Sequence, residues 1–230
     1  MITLITYPPA FGEPAPSPFC VKAMYLLNAS GFQWQRQDTK DPRKWPSGKL
    51  PAISVGGQVI GDSDNIRAYL EAKGTDFDAG LSDIDKATSR AFIRMAEEHI
   101  YFHILLDRWD NDAVWPVIRD NYFDEMPKLI RGAIAGSIRR NVVRGMHAQG
   151  LGRLKADQQL ARLEPDLKAI ASRLWQGPFL FGQTATAADA SVGAMLRGGR
   201  STPVETPLSR RIADDTILSE YADRVAEQMG

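Results

Sequence analysis

The chain has 230 residues, and its 28 Lys and Arg balance its 28 Asp and Glu, so no net field argues for nucleic acid or an anionic membrane surface. That length holds one large domain or two modest ones around a sizeable core. The single cysteine excludes an internal disulfide and the usual structural zinc sites, and the absence of any apolar run of about 18 residues excludes a spanning helix.

The opening MITLITYPPA has neither the basic nor the apolar segment of a secretory signal, so a cytoplasmic setting is expected. Residues 2–6 are short and β-branched, as in a buried strand. Pro8, Pro9, Pro14 and Pro16 then enforce an irregular loop. Ser17 suits the cap of a helix whose first position takes Pro18, and Gly31 supplies its stop. Residues 32–37 alternate like a strand with one exposed face, and 52–55 with 58–60 read as a hairpin joined through Gly56-Gly57. Ser63 is expected to cap a helix over 64–73 with Ile66 and Leu70 inward and Gly74 at its end.

Residues 1–74 thus spell β-α-β-β-β-α, and the polar stretch 75–83 is a connector. From 84 to 230 the pattern is helical. Ile84, Ala91, Met95, Phe102, Leu105 and Trp109 recur along a long first helix. Further helices are expected over 112–123, 125–148, 157–175, 187–196 and 215–228. Leu160, Leu163, Leu167, Ile170 and Leu174 form one stripe, which Pro165 is expected to kink or restart. Thr186 and Asp189 have the spacing of a capping box.

The order Ser17-Pro-Phe-Cys20, Leu50-Pro51, Asp62-Ser63 and then an all-helical region resembles the glutathione transferase superfamily. PPAFG…PSPFC, GKLPAI, IGDSDNI and EEHIYFHILLDRW are most similar to its branch of failed-axon-connections and metaxin-like homologues. The resemblance covers nearly the whole chain. It implies a thioredoxin-like α/β N-terminal domain plus an all-α C-terminal domain, glutathione as cosubstrate, a small apolar electrophile and a homodimer. It makes Pro51 a cis-proline, with Leu50 pairing its backbone to the cysteinyl part of glutathione like an added strand. Ser63, at a helix N-terminus, would hold the γ-glutamyl carboxylate, Asp62 would assist with the amino group, and Lys49, Lys40, Arg43 or Lys44 would reach the glycyl carboxylate.

On this resemblance Ser17 would donate a hydrogen bond to the glutathione thiolate, which a helix N-terminus favours. A plain helix cap uses the same geometry, so both roles stay open for Ser17. Tyr7, at the end of the first strand, is a second candidate for that donor. Cys20 falls on a stripe with Met24 and Leu27, which suits core packing; the competing role is a thiol transferase forming a mixed disulfide with glutathione. The branch includes non-enzymatic members, so a non-catalytic adaptor is the remaining alternative.

His99, His103 and Asp107 stand at i, i+4, i+8 beside Glu98. No H-E-x-x-H order accompanies them, and a polar cluster between domains, with Arg108 paired to an acid, is expected rather than a metal site. Arg131, Arg139, Arg140, Arg144, Arg153 and Lys155 suggest a solvated helix face. Trp45, Tyr101, Trp109, Trp115 and Tyr122 are candidates to line a second-substrate pocket or to fill the core.

Overall fold

A computed structural model describes residues 1–230. Strand β1 (Ile2–Thr6), with Leu4 and Ile5 fully buried, is the inner strand the β-branched run demands. It pairs in parallel with β2 (Trp34–Asp38) and antiparallel with β3 (Ala52–Val55), which turns through Gly56 and Gly57, both at positive φ, into β4 (Gln58–Gly61). The sheet order is β2-β1-β3-β4. β2 begins two residues later than its alternation suggests. As an edge strand it has Trp34 half-buried and the remainder exposed, so it has no core face.

Helices α1 (Pro18–Ala29) and α2 (Ser63–Ala72) complete the α/β unit. The α2 cap is Asp62, whose carboxylate accepts from the Asp64 N–H at 2.8 Å; Ser63 is the first helical residue, not the cap. Ile66 and Leu70 point inward as expected. This unit and the helical half match the thioredoxin-like plus all-α architecture.

The helical half starts with a rod over 83–110. It is made of α3 (Asp83–Met95) and α4 (Tyr101–Leu105), with wide π-type turns over Ala96–Ile100 and Leu106–Asp110. The apolar stripe predicted there is not the core stripe. Ile84 is 78 % exposed and Ala91 is exposed, whereas Ile93, Ala96, Ile100 and Ile104 are buried. Two faces of this rod are apolar because one meets the core and the other a cleft. Helices α5 (Trp115–Tyr122), α6 (Lys128–Gln149), α7 (Ala156–Arg173), α8 (Ala187–Arg200), α9 (Pro207–Ala213) and α10 (Thr216–Met229) follow. The short α9 escaped the sequence reading. Pro165 neither breaks nor restarts α7. Its residue is exposed, so the carbonyl it leaves unpaired faces water.

Helix α8 is the central element, and its small residues explain why. Asp189 satisfies the expected capping box, accepting from the Thr186 N–H and hydroxyl at 2.8 Å each. A β-carbon on Gly193 would come within 2.7 Å of Val225, and one on Gly198 would overlap Pro18 at the start of α1. Those glycines let α10 and α1 approach closely on either side.

A buried ion network ties the halves together. Lys22, fully buried in the middle of α1, donates to Asp64 at 2.8 Å and to Glu97 at 2.5 Å. Glu97 also accepts from Arg94 at 2.5 Å and from the Ser191 hydroxyl at 2.8 Å. Asp64 is further paired with Arg90 and Arg94.

The histidines belong elsewhere. His99 Nδ1 lies 2.5 Å from Asp166 on α7, its Nε2 is 3.4 Å from His103 Nε2, and Asp107 accepts from the Thr206 hydroxyl. This cluster therefore sits within the helical half rather than between domains. The rod's rotation carries it away from the α/β unit. The basic stretch is not simply solvated either: Arg139 donates to Trp109 O at 2.6 Å and lies over the Trp115 ring, and Arg131 holds the carbonyls of Asp124 and Met126.

Replacing Lys22 with Met leaves Glu97 and Asp64 short of a buried cation, a change expected to cost about 3 kcal/mol. Chemical denaturation of Lys22→Met measures it, and a loss under about 0.5 kcal/mol, the size of an exposed pair, contradicts the network's role. Burial, followed by its neighbours His99 and Arg162, pushes the His103 imidazole down to about 4. The unfolded ring takes up a proton near 6.5, so the His103 contribution is full above that pH, shrinks as pH falls towards 4 and then levels off. Melting curves of His103→Gln should show a shallower stability loss across that window than wild type.

Candidate active site

A cleft of about 590 Å³ opens between the α/β unit and the rod, within the range of small-molecule sites. Ser17, Tyr7, Lys49, Leu50, Pro51, Asp62 and Ser63 all line it. Cys20 and Trp45 do not.

The loop that delivers Ser17 is fastened at several points. Arg36 donates to the carbonyls of Tyr7 and Pro14 at 3.1 and 3.2 Å, Arg197 pairs with Glu13 at 2.8 Å, and Arg108 donates to Pro16 O at 2.6 Å. Ser17 occupies the cap position of α1 in extended conformation, yet its hydroxyl makes no capping bond. The predicted cap is thus one of position only. Its carbonyl, not its side chain, takes the N–H groups of Cys20 and Val21.

Opposite, the Leu50-Pro51 peptide is cis. Pro51 O accepts from the Asp62 N–H at 3.1 Å, which brings this turn against the start of α2. The Leu50 N–H and C=O have no partner in the chain, so they are free for an extended peptide. Ser63 is buried at the first turn of α2, where unpaired N–H groups and the helix dipole favour a carboxylate.

Of the cations proposed for the glycyl end, only Lys49 lines the cleft. Lys40 is engaged with Asp124 at 2.7 Å and with Asn121 O at 3.0 Å, and Arg43 with Asp41 at 2.7 Å. The inner wall carries Asp64, Arg94, Glu97 and Glu98. Burial by itself would raise the Asp64 carboxyl, but Lys22, Arg90 and Arg94 hold it far below the ordinary carboxylate range.

Tyr101, Phe102, Leu105, Trp109, Tyr122, Val142 and Met146 make the apolar end. Trp115 instead belongs to a satellite core with Val114, Ile118 and Phe123. The Tyr7 ring meets Tyr122 edge-on at 5.3 Å, and burial with that neighbour raises its phenol well above the ordinary value. Arg108 contradicts its predicted pairing. No acid bonds it; its terminal nitrogens go to Pro16 O and Gly198 O. A carbonyl-bound arginine gives no sequence signal, since any residue supplies a carbonyl.

Cys20 is fully buried in the core under α1. Burial pushes its thiol up, although the Thr6 hydroxyl, the Tyr7 backbone and the Ser17 hydroxyl pull the other way. The network residues Lys22, Asp64, Arg94 and Glu97 were missed by sequence reasoning. One clue existed: Lys22 is the lone charge inside the otherwise apolar run FCVKAMYLL, a pattern that requires a buried partner.

Residues 18–114 match the family model described as the glutathione S-transferase N-terminal domain, and residues 148–224 match the glutathione S-transferase C-terminal domain. The chain is 32 % identical to the isoprene-epoxide–glutathione S-transferase of Rhodococcus sp. (strain AD45), over 99 % of both chains. It is 30 % identical to human (Homo sapiens) metaxin-2, over 79 % of this chain and 70 % of the relative. Glutathione transferase GSTFuA2 from Phanerochaete chrysosporium superposes with a TM-score of 0.70 at 14 % identity, covering 100 % of this chain and 98 % of the other.

The buried, high-pKa thiol yields a direct check: a chromogenic disulfide reagent should titrate no thiol in the native protein and one per chain after denaturation. A native thiol that reacts within minutes would restore Cys20 as an accessible nucleophile.

Proposed function

This chain belongs to the glutathione S-transferase superfamily, and on that premise we propose that the cleft binds glutathione and activates its thiol for attack on an apolar electrophile. The observation that supports the proposal is the convergence, on one cleft, of the Leu50 backbone, the Ser63 helix terminus and the Ser17 hydroxyl. The Leu50 backbone has no partner in the chain, the α2 terminus spends only its Asp64 N–H on Asp62, and the Ser17 hydroxyl makes no capping bond and has the buried Cys20 thiol beside it; each has the polarity that one part of glutathione requires.

When bound, glutathione supplies the sulfur nucleophile. Leu50 holds the tripeptide in extended form through its N–H and C=O. Ser63 and the free N–H groups of α2 take the γ-glutamyl carboxylate. Asp62 and the acidic inner wall face the amino group, and Lys49 is the cation nearest the glycyl end. Ser17 donates its hydroxyl to the sulfur, helped by the α1 terminus, which stabilises the anion there. Tyr7 stands beside this point as a protonated donor. Tyr101, Phe102, Leu105 and Trp109 hold the apolar partner and exclude water. Cys20 is screened from the cleft, so the thiol-transferase route has no access to substrate.

Calorimetry with glutathione tests the proposal. Binding is expected at millimolar or lower ligand, weakened about tenfold in Ser63→Ala, since a helix-terminal carboxylate bond is charge-assisted. Conjugation should fall about a hundredfold in Ser17→Ala with little change in glutathione affinity. No heat and no thermal stabilisation by glutathione would overturn the enzyme reading in favour of a non-catalytic binding protein.

A further inference from the structure

The rod has a second lined face. His103, Leu106, Asp107 and Asp110 stand at i, i+3, i+4 and i+7, away from Phe102, Leu105 and Trp109, which line the cleft. With Leu160 and Leu163 of α7 and Leu208 of α9 they line a cavity of about 250 Å³. A cavity of about 150 Å³ admits benzene, so this one has room for a ring or short chain bearing one polar group. Its floor is leucine and its charged lining is acidic, for no Lys or Arg surrounds it.

The polar groups on this face have acceptor capacity to spare. His103 is 4 % exposed, and its Nε2 lies 3.4 Å from His99 Nε2. With the His99 proton directed from Nδ1 to Asp166, His99 Nε2 accepts from His103 and leaves His103 Nδ1 an acceptor. That nitrogen bonds no protein atom. The buried side-chain atoms sealed off without a partner are Arg94 Nε, Arg108 Nε, Arg131 Nε and Thr202 Oγ1, so His103 Nδ1 opens on the cavity it lines. Asp107 accepts from the Thr206 hydroxyl at 2.7 Å and is paired with no cation, since neighbouring Arg108 is turned to Pro16 O and Gly198 O. Burial pushes the Asp107 carboxyl up, and its hydroxyl neighbours and Arg108 offset this only in part, as befits an anion held without a counter-ion. Asp110 gives its backbone carbonyl to Arg139 and keeps its carboxylate free.

We propose that this cavity binds a small protonated amine with an apolar body, its ammonium seated on Asp107, Asp110 and His103 Nδ1. A primary ammonium brings three N–H donors and a positive charge to a face that offers acceptors and negative charge. The C-terminal end of the rod, at Asp110, adds a partial negative charge of its own. Leu106, Leu160, Leu163 and Leu208 cover the ring or chain, so the amine gains from burial as well as from charge. The cavity lies across the rod from the cleft and takes its ligand whether or not the cleft takes glutathione.

Calorimetry and melting curves at neutral pH with cyclohexylamine, cyclohexanol and cyclohexanecarboxylate separate charge from shape. The amine should bind at millimolar or lower concentration and raise the melting midpoint. The alcohol should bind at least about tenfold more weakly, and the carboxylate not at all. Asp107→Asn and Asp110→Asn should each weaken the amine about tenfold and leave the alcohol within about twofold. Asp110 is exposed, so its variant folds and decides the matter if Asp107→Asn does not. Glu98→Gln, on the acidic wall of the cleft, should leave amine binding unchanged. Failure of the amine to bind, equal binding of the alcohol, or no loss in the aspartate variants overturns the proposal. So does a loss in Glu98→Gln, which would place the amine in the cleft.

Discussion

Arg108 joins segments that lie 92 and 90 residues away in sequence, Pro16 before α1 and Gly198 near the end of α8. Its guanidinium also sits over the Phe11 ring, 5.8 Å from the centroid. The arrangement exists only because Gly198 has no side chain, which lets Pro18 close onto α8. That contact seats the start of α1, next to Ser17, against α8. The cost is a buried cation held by neutral carbonyls, tolerable where several hydrogen bonds compensate desolvation.

The ion network around Lys22 fixes the other side. It spans α1, α2, the rod and α8, so the end of the cleft that holds Ser63 is framed by elements from both halves. Buried pairs of this type seldom add net stability over apolar packing. Their effect is to set how the halves meet. A cleft whose two walls belong to different domains needs that registry if Leu50 and Ser63 are to face one tripeptide. The network and the Arg108 clamp thus tie the two halves together at two points.

Legibility in sequence followed the range of the interactions. The β-branched first strand, the Gly56-Gly57 hairpin and the Thr186–Asp189 box rest on neighbouring residues, and each is where its local pattern puts it. Position was legible at Ser17 and Ser63, but bonding was not. A hydroxyl before a helix looks like a cap whether or not it caps, and at both helices the backbone or Asp62 does that work instead. On the rod, apolar spacing marked the cleft face at Phe102, Leu105 and Trp109 as readily as a core face. Periodicity reports that a face is apolar and not what covers it. Lys40 was misjudged for a similar reason, since its partner Asp124 is 84 residues away.

The sequence by itself determined most of the elements and their order, α9 excepted, because those depend on backbone preference and short-range spacing, while the turn at Leu50-Pro51 and the residues competing for the chemistry came from the family resemblance that its motifs carry. Only the tertiary structure decided among them. It buried Cys20, left the Leu50 backbone unpaired, paired Lys40 elsewhere and fixed Arg108 on the carbonyls of Pro16 and Gly198. Burial and charge pairing are properties of residues far apart in the chain, and they exist only once packing has chosen the neighbours.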